Sequence, residues 1–130
     1  MSNRRRPGFL NLYRDGFLHS PVWFARRDRW FRDELATGRP LQCAACGQPA
    51  GKTQLELHHL DYAGMVIDNG RWQAGEAHED LVPMHPYCHE LLHRLIDRDT
   101  VLSRHRTRRA ASHLALERLR HKLAPPQESP

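Results

Sequence analysis

The feature that most restricts how this chain can fold is a matched pair of knuckles, Cys43-Ala44-Ala45-Cys46 and His85-Pro86-Tyr87-Cys88. Each sets two soft or borderline ligands two residues apart, so both can reach one ion from a single turn. The pairs close a loop of 38 intervening residues. Structural zinc takes four such ligands in a tetrahedron, and the spacing predicts a Cys3His site made of Cys43, Cys46, His85 and Cys88. His85 stands where cysteine is more usual, and imidazole serves in that place. A chain of 130 residues buries only a modest core, so the ion would supply folding energy outright. Three cysteines exclude a fully paired disulfide framework. No thioredoxin-like strand–helix pattern surrounds Cys43-x2-Cys46 to make it a redox pair.

The chain divides around these knuckles. Six of its ten histidines and all its cysteines lie between Cys43 and His93, while the flanks carry arginine, aromatics and leucine. Four parts follow: an arm and helix over 1–40, a core over 41–98, a basic helix over 99–123 and a tail over 124–130. Ser20-Pro21 reads as N-cap and first residue of a helix, and Gly38 with Pro40 beyond reads as its stop. Trp23 and Trp30, and Phe24 and Phe31, recur at seven-residue spacing with Leu35 beyond. They form an aromatic face, with Arg26, Arg27, Arg29 and Arg32 on the remainder, as a solvated surface or as phosphate contacts. Gln54 to His58 alternates like a short half-buried strand. Gly64, Asn69-Gly70 and Gly75 mark 61–79 as a long loop. Leu81-Val82 reads as a second strand, and Tyr87 to Ile96 has helical periodicity. After Asp99-Thr100, a candidate cap, the chain to Leu123 reads as a helix striped by Leu116, Leu119 and Leu123. Seven Lys and Arg there face the single acid Glu117.

A second set of potential ligands overlaps the first. His89 and His93 are four apart on the expected helix and share a face, so both can reach one ion. The adjacent His58 and His59, at a strand end, are the candidates for a third ligand. Three imidazoles leave coordination positions open for water and substrate, and one more imidazole beside them could take a proton from water. Strand alternation sends His58 and His59 to opposite faces, so they converge only if the strand ends or bulges there.

The ordered set Cys43-Ala-Ala-Cys46, Leu55-Glu-Leu-His58-His59-Leu-Asp-Tyr62, Glu79-Asp80-Leu-Val-Pro-Met84 and His85-Pro-Tyr-Cys88-His89-Glu-Leu-Leu-His93 resembles the HNH endonucleases. It covers roughly residues 41–95. The resemblance implies a small α+β fold: a ββα-metal core with a structural zinc, flanked here by the N-terminal aromatic helix and the C-terminal basic helix. It implies that His59 is the general base, that His58, His89 and His93 hold the catalytic ion, and that Asp80 takes the middle position, where the family usually carries Asn. An ionised carboxylate only accepts hydrogen bonds. Asp80 therefore either accepts from the His59 imidazole and raises its basicity or is a simple loop carboxylate.

The function expected is metal-dependent endonucleolytic hydrolysis of DNA phosphodiester bonds. The cofactors are a structural Zn2+ and one exchangeable divalent ion (Zn, Ni, Mn or Mg, the imidazoles disfavouring Mg). A net charge of +5 suits a polyanionic partner held mainly by backbone contacts, although eighteen of the twenty basic residues are Arg, a bias that GC-rich coding alone produces. No apolar run reaches a membrane span, and the stretch after Arg4-Arg5-Arg6 is too short for a signal peptide, so a cytoplasmic protein is expected. The alternatives are a non-catalytic zinc-stabilised DNA-binding module, which has no use for His59, and an interaction adaptor built on the aromatic and leucine faces.

Overall fold

A computed structural model of the chain describes residues 16–98 and 106–124. The arm before residue 16, the Asp99-Thr100 cap and the end of the tail lie outside the described residues. The protein is a small α+β fold, with three helices and two two-stranded antiparallel sheets among the described residues.

Helix α1 spans Pro21–Ala36. The Ser20 hydroxyl accepts from the Trp23 amide at 3.2 Å, Pro21 fills the first turn, and Gly38 follows the end at φ +79, a conformation that favours glycine. Trp23, Trp30 and Phe31 are buried with Phe17, which comes from the short 3-10 turn Phe17–His19. Burying Phe31 alone contributes roughly 1.5–3 kcal/mol, several times what one exposed ion pair adds. Three parts of the expected face differ, Leu35 being more than half exposed. Phe24 is half exposed, because one helix cannot turn all four aromatics toward one neighbour. Arg26 is buried: it lies three residues after Trp23 and four before Trp30, on the apolar side.

Strand β1 (Glu56–His59) pairs with β4 (Leu81–Met84), matching Leu57 with Pro83, His58 with Val82 and His59 with Leu81. β1 starts later than expected, because Lys52–Gln54 forms a 3-10 turn in which the Gln54 side chain accepts from the Gly51 amide at 2.9 Å. Between β1 and β4 stands a second hairpin, β2 (Met65–Asp68) with β3 (Arg71–Ala74), where a loop was expected. Asn69 (φ 50) and Gly70 (φ 73) form its two-residue turn, both in the left-handed region that such a hairpin needs. At its base the Gly75 amide donates to the Gly64 carbonyl at 2.8 Å. Gly64 sits at φ +88, and a Cβ there would stand 2.4 Å from the Gly75 oxygen and 2.9 Å from the Glu76 nitrogen. Only glycine permits this clasp, which delivers Glu76 into the interior.

Helix α2 spans Pro86–Arg98 and buries the stripe Cys88, Leu92 and Ile96. His89 and His93 form the next row along, at the edge of that stripe. β1, β4 and α2 together make a ββα unit, with α2 packed on β1. Helix α3 spans Arg108–Leu123, its N-cap Thr107 accepting from the Ala110 amide at 3.1 Å. Its buried Ala115, Leu116 and Leu119 pack across α2. No helix among the described residues is long and apolar enough to cross a membrane.

Candidate functional site

Cys43, Cys46, His85 and Cys88 come together, with one ligand atom from each lying within 4.8 Å of every other. The first knuckle is a tight turn: Gly47, at φ +77, donates its amide to the Cys43 carbonyl at 2.9 Å. The second knuckle begins where β4 ends and closes on the first turn of α2. Pro83, which has no amide proton, uses its carbonyl to accept from the Ala44 amide at 2.7 Å and ties β4 to the knuckle. Arg120 of α3 donates to the Ala44 carbonyl at 2.7 Å. The amides of Ala45 and His85 both donate to Cys43 Sγ at 3.4 Å, an arrangement that favours a thiolate. Burial raises the Cys43 pKa, but the surrounding amides of Cys46, His85 and Ala45 outweigh it and bring the thiol down to about 7. Burial and then the charge at Cys43 push Cys88 up to about 12. The charge at Cys43 opposes a second thiolate at Cys88, and a dication at the centre reverses that repulsion. A tetrahedron with bonds of about 2.3 Å has edges of roughly 3.8 Å, which four donors this close can meet. The donor set fits zinc.

The second cluster joins His58 of β1 to His89 and His93 of α2, again with ligand atoms within 4.8 Å of one another. His58 Nδ1 lies 3.1 Å from His89 Nε2, and His93 Nε2 lies 3.0 Å from His89 Nε2. The outer nitrogens are held from elsewhere. His58 Nε2 meets Ser112 Oγ of α3 at 3.1 Å, both side chains being buried, and His89 Nδ1 meets Glu56 Oε1 at 2.9 Å. With those nitrogens carrying the protons, the lone pairs of His58 Nδ1 and His89 Nε2 face each other across one point, as metal-binding imidazoles require. Burial, and after it the Arg108 charge, hold His58 well below the usual imidazole pKa, so it stays neutral and able to bind a cation. Three nitrogen donors with room for further ligands fit a divalent ion of the zinc, nickel or manganese kind.

His59 points the other way, as strand alternation requires. Its ring lies 4.9 Å from Trp23, 5.7 Å from Tyr62 and 6.0 Å from Phe17, centroid to centroid. Its Nε2 is 2.7 Å from Glu76 Oε2. Burial lowers its pKa more than Glu76 raises it. β1 ends at His59. Arg108 donates to the His59 carbonyl at 3.2 Å and lays its guanidinium 4.6 Å over the Tyr62 ring.

Asp80 sits in the 3-10 turn leading into β4. Its carbonyl accepts from the Leu60 amide at 2.8 Å, fixing the end of β1. Its carboxylate is paired with Arg109, which also reaches Asp61 at 3.1 Å. The acceptor at His59 Nε2 is therefore Glu76, and of the two roles open to Asp80 the structure shows the loop carboxylate, paired with Arg109. Glu76, Arg26 and Ser112 are the residues that sequence reasoning missed. Only Arg26 had a signal, its place between Trp23 and Trp30 on one helix face.

Compared with protein-family models, with characterised proteins and with solved structures, the chain matches none.

Proposed function

We propose that the chain is a metal-dependent DNA endonuclease of the HNH kind, built on the ββα-metal plan. The observation that carries this reading is the convergence of His58, His89 and His93 within one ββα unit, with a fourth imidazole, His59, next in sequence at the strand end. The closed Cys3His cluster on the same helix supports it, since it holds the unit together without occupying the open site.

A divalent ion held by His58, His89 and His93 would supply Lewis-acid neutralisation of the scissile phosphate and of the departing 3′ oxygen. The chain's own residues do the rest. His59, neutral because it is buried, accepts a proton from the water whose oxygen forms the new bond to phosphorus. The P–O3′ bond breaks and the departing oxygen takes a proton from solvent water, leaving a 5′-phosphate and a 3′-hydroxyl. Arg108, fixed over Tyr62 and bonded to the His59 carbonyl, is a cation suited to the phosphate oxygens. Arg29, Arg32, Arg120 and Lys122 on α1 and α3 are exposed and suited to backbone phosphates, which predicts a steep fall in affinity with salt. Free thiols at the ligand positions suit a reducing compartment, consistent with the cytoplasm.

One observation favours a second reading. His59 is only 1 % exposed and lies among aromatics, as a purely structural histidine in a non-catalytic DNA-binding module would. Plasmid nicking with Mn2+ or Ni2+ separates the two readings, comparing the wild type with His59→Gln. Glutamine can still donate to Glu76, so the variant spares the buried carboxylate. Nicking that disappears in the variant while DNA affinity and metal content persist supports the nuclease. Equal nicking in both proteins, or none in the wild type, points to the binding module.

A further inference from the structure

Glu76 is a buried carboxylate that the metal clusters do not use. It lies beyond β3, set in place by the Gly64–Gly75 clasp, and its side chain is fully enclosed. Its cationic neighbour is Arg26, also buried. A carboxylate and an arginine that pair for stability form a fork of two short, parallel bonds. That fork is absent here. Arg26 Nε stops 3.9 Å from Glu76 Oε1, and Arg26 Nη2 donates instead to the Glu76 main-chain carbonyl at 2.8 Å. Glu76 Oε1 and Arg26 Nε and Nη1 are left without hydrogen bonds. The short contact of the carboxylate, 2.7 Å, goes to His59. A buried ion pair is a poor source of stability even when well made, and this one is loosely made. The arrangement is that of a carboxylate aimed at an imidazole, with an arginine behind it.

We propose that Glu76 is the positioning residue for His59, accepting its Nε2 proton, fixing that tautomer and turning Nδ1 into the nitrogen that takes the proton from water. The proposal rests on the nuclease reading given above. When Nδ1 receives the proton, the positive charge on the ring lies against the Glu76 carboxylate. Arg26 stands one step further out, its Nε 3.9 Å from that carboxylate.

The test combines a spectroscopic and a kinetic measurement on the full chain. Long-range 15N–1H correlation spectra of the zinc-loaded wild type, assigned with His59→Gln, report which ring nitrogen of His59 carries the proton. The expected form is Nε2–H, and Nδ1–H overturns the proposal without reference to cleavage. In Glu76→Gln the amide can either accept from or donate to Nε2, so the tautomer is no longer fixed. The expected result is a fall in kcat of at least about 10²-fold, the low end of a general-base contribution, with KM and metal content unchanged. The double variant Arg26→Met/Glu76→Gln removes both buried charges and guards against misfolding of the single one. It is expected to melt like the wild type and to keep the low kcat. A folded Glu76→Gln, or a folded double variant, with wild-type kcat overturns the positioning role and leaves the nuclease reading standing. A wild type that cleaves with no divalent ion tried overturns the nuclease reading and takes this proposal with it.

Discussion

The two ligand clusters share helix α2, yet they are built on opposite principles. The Cys3His cluster is closed. Its four donors come from two tight turns, main-chain amides point at Cys43 Sγ, and the four ligand atoms make up the full set that a tetrahedral ion takes. The three-histidine cluster is open. Its donors come from a strand and a helix face, and their orientation depends on further side chains, Glu56 of the same strand and Ser112 brought in from α3. A site made by its own local turns is suited to holding the fold together. A site that borrows its orientation from distant elements can keep positions vacant for chemistry, and it is correspondingly easier to disturb.

Breaking the closed cluster has the largest expected effect. Serine does not ionise to bind zinc as a thiolate does, so Cys43→Ser forfeits most of a binding energy on the order of 10–16 kcal/mol, comparable to the whole stability of a domain. The expected outcome is an unfolded, zinc-free protein by circular dichroism and elemental analysis. A folded variant retaining one equivalent of zinc would remove the distinction between the clusters. The open cluster is expected to fail differently. Mild chelation should take the ion from His58, His89 and His93 first and abolish nicking with the fold retained. A single unfolding transition that tracks loss of all metal would show that both clusters are structural. Next in size comes His59→Gln, for which a drop in kcat of about 10²–10⁴-fold is expected with both ions still bound, measured by single-turnover nicking. Loss of the second ion as well would exchange the roles of His58 and His59.

The same contrast explains what could be read from the sequence. Ligand spacing is a local property. Cys43-x2-Cys46, His85-x2-Cys88 and His89-x3-His93 each state their geometry within one turn, and the structure brings those six residues, with His58, into two groups. The caps at Ser20 and Gly38 were legible for the same reason. The β2–β3 hairpin was not, although Asn69-Gly70 is a strong turn signal. Its strands are only four residues long; Arg71-Trp72-Gln73-Ala74 alternates, but Met65-Val66-Ile67-Asp68 does not and leaves Val66 and Ile67 exposed. The outer partners left no trace at all. Ser112 is one small residue inside a helix, and Glu76 is one of several acids before β4. Each acquires its role by packing against a residue at least 17 positions away, and no local pattern records such a distance.

The outer partners therefore give the finest test of the comparison. Ser112→Ala leaves the His58 Nε2 proton buried without an acceptor and lets the ring choose its tautomer. Affinity at the open site should fall about 10–100-fold in competition with a chelating dye, while zinc at the Cys3His cluster is unchanged. Glu56→Gln should cost less. The Glu56 side chain is 52 % exposed, so water already competes for the bond to His89 Nδ1, and the amide oxygen can still accept it. A loss of at most about 10-fold is expected, shrinking as salt screens the carboxylate in the wild type, whereas the Ser112→Ala loss should not depend on salt. Burial decides that ranking. If Glu56→Gln weakens the site more than Ser112→Ala, the open cluster is oriented from its solvent side, and α3 is a cover over the ββα unit rather than part of the centre.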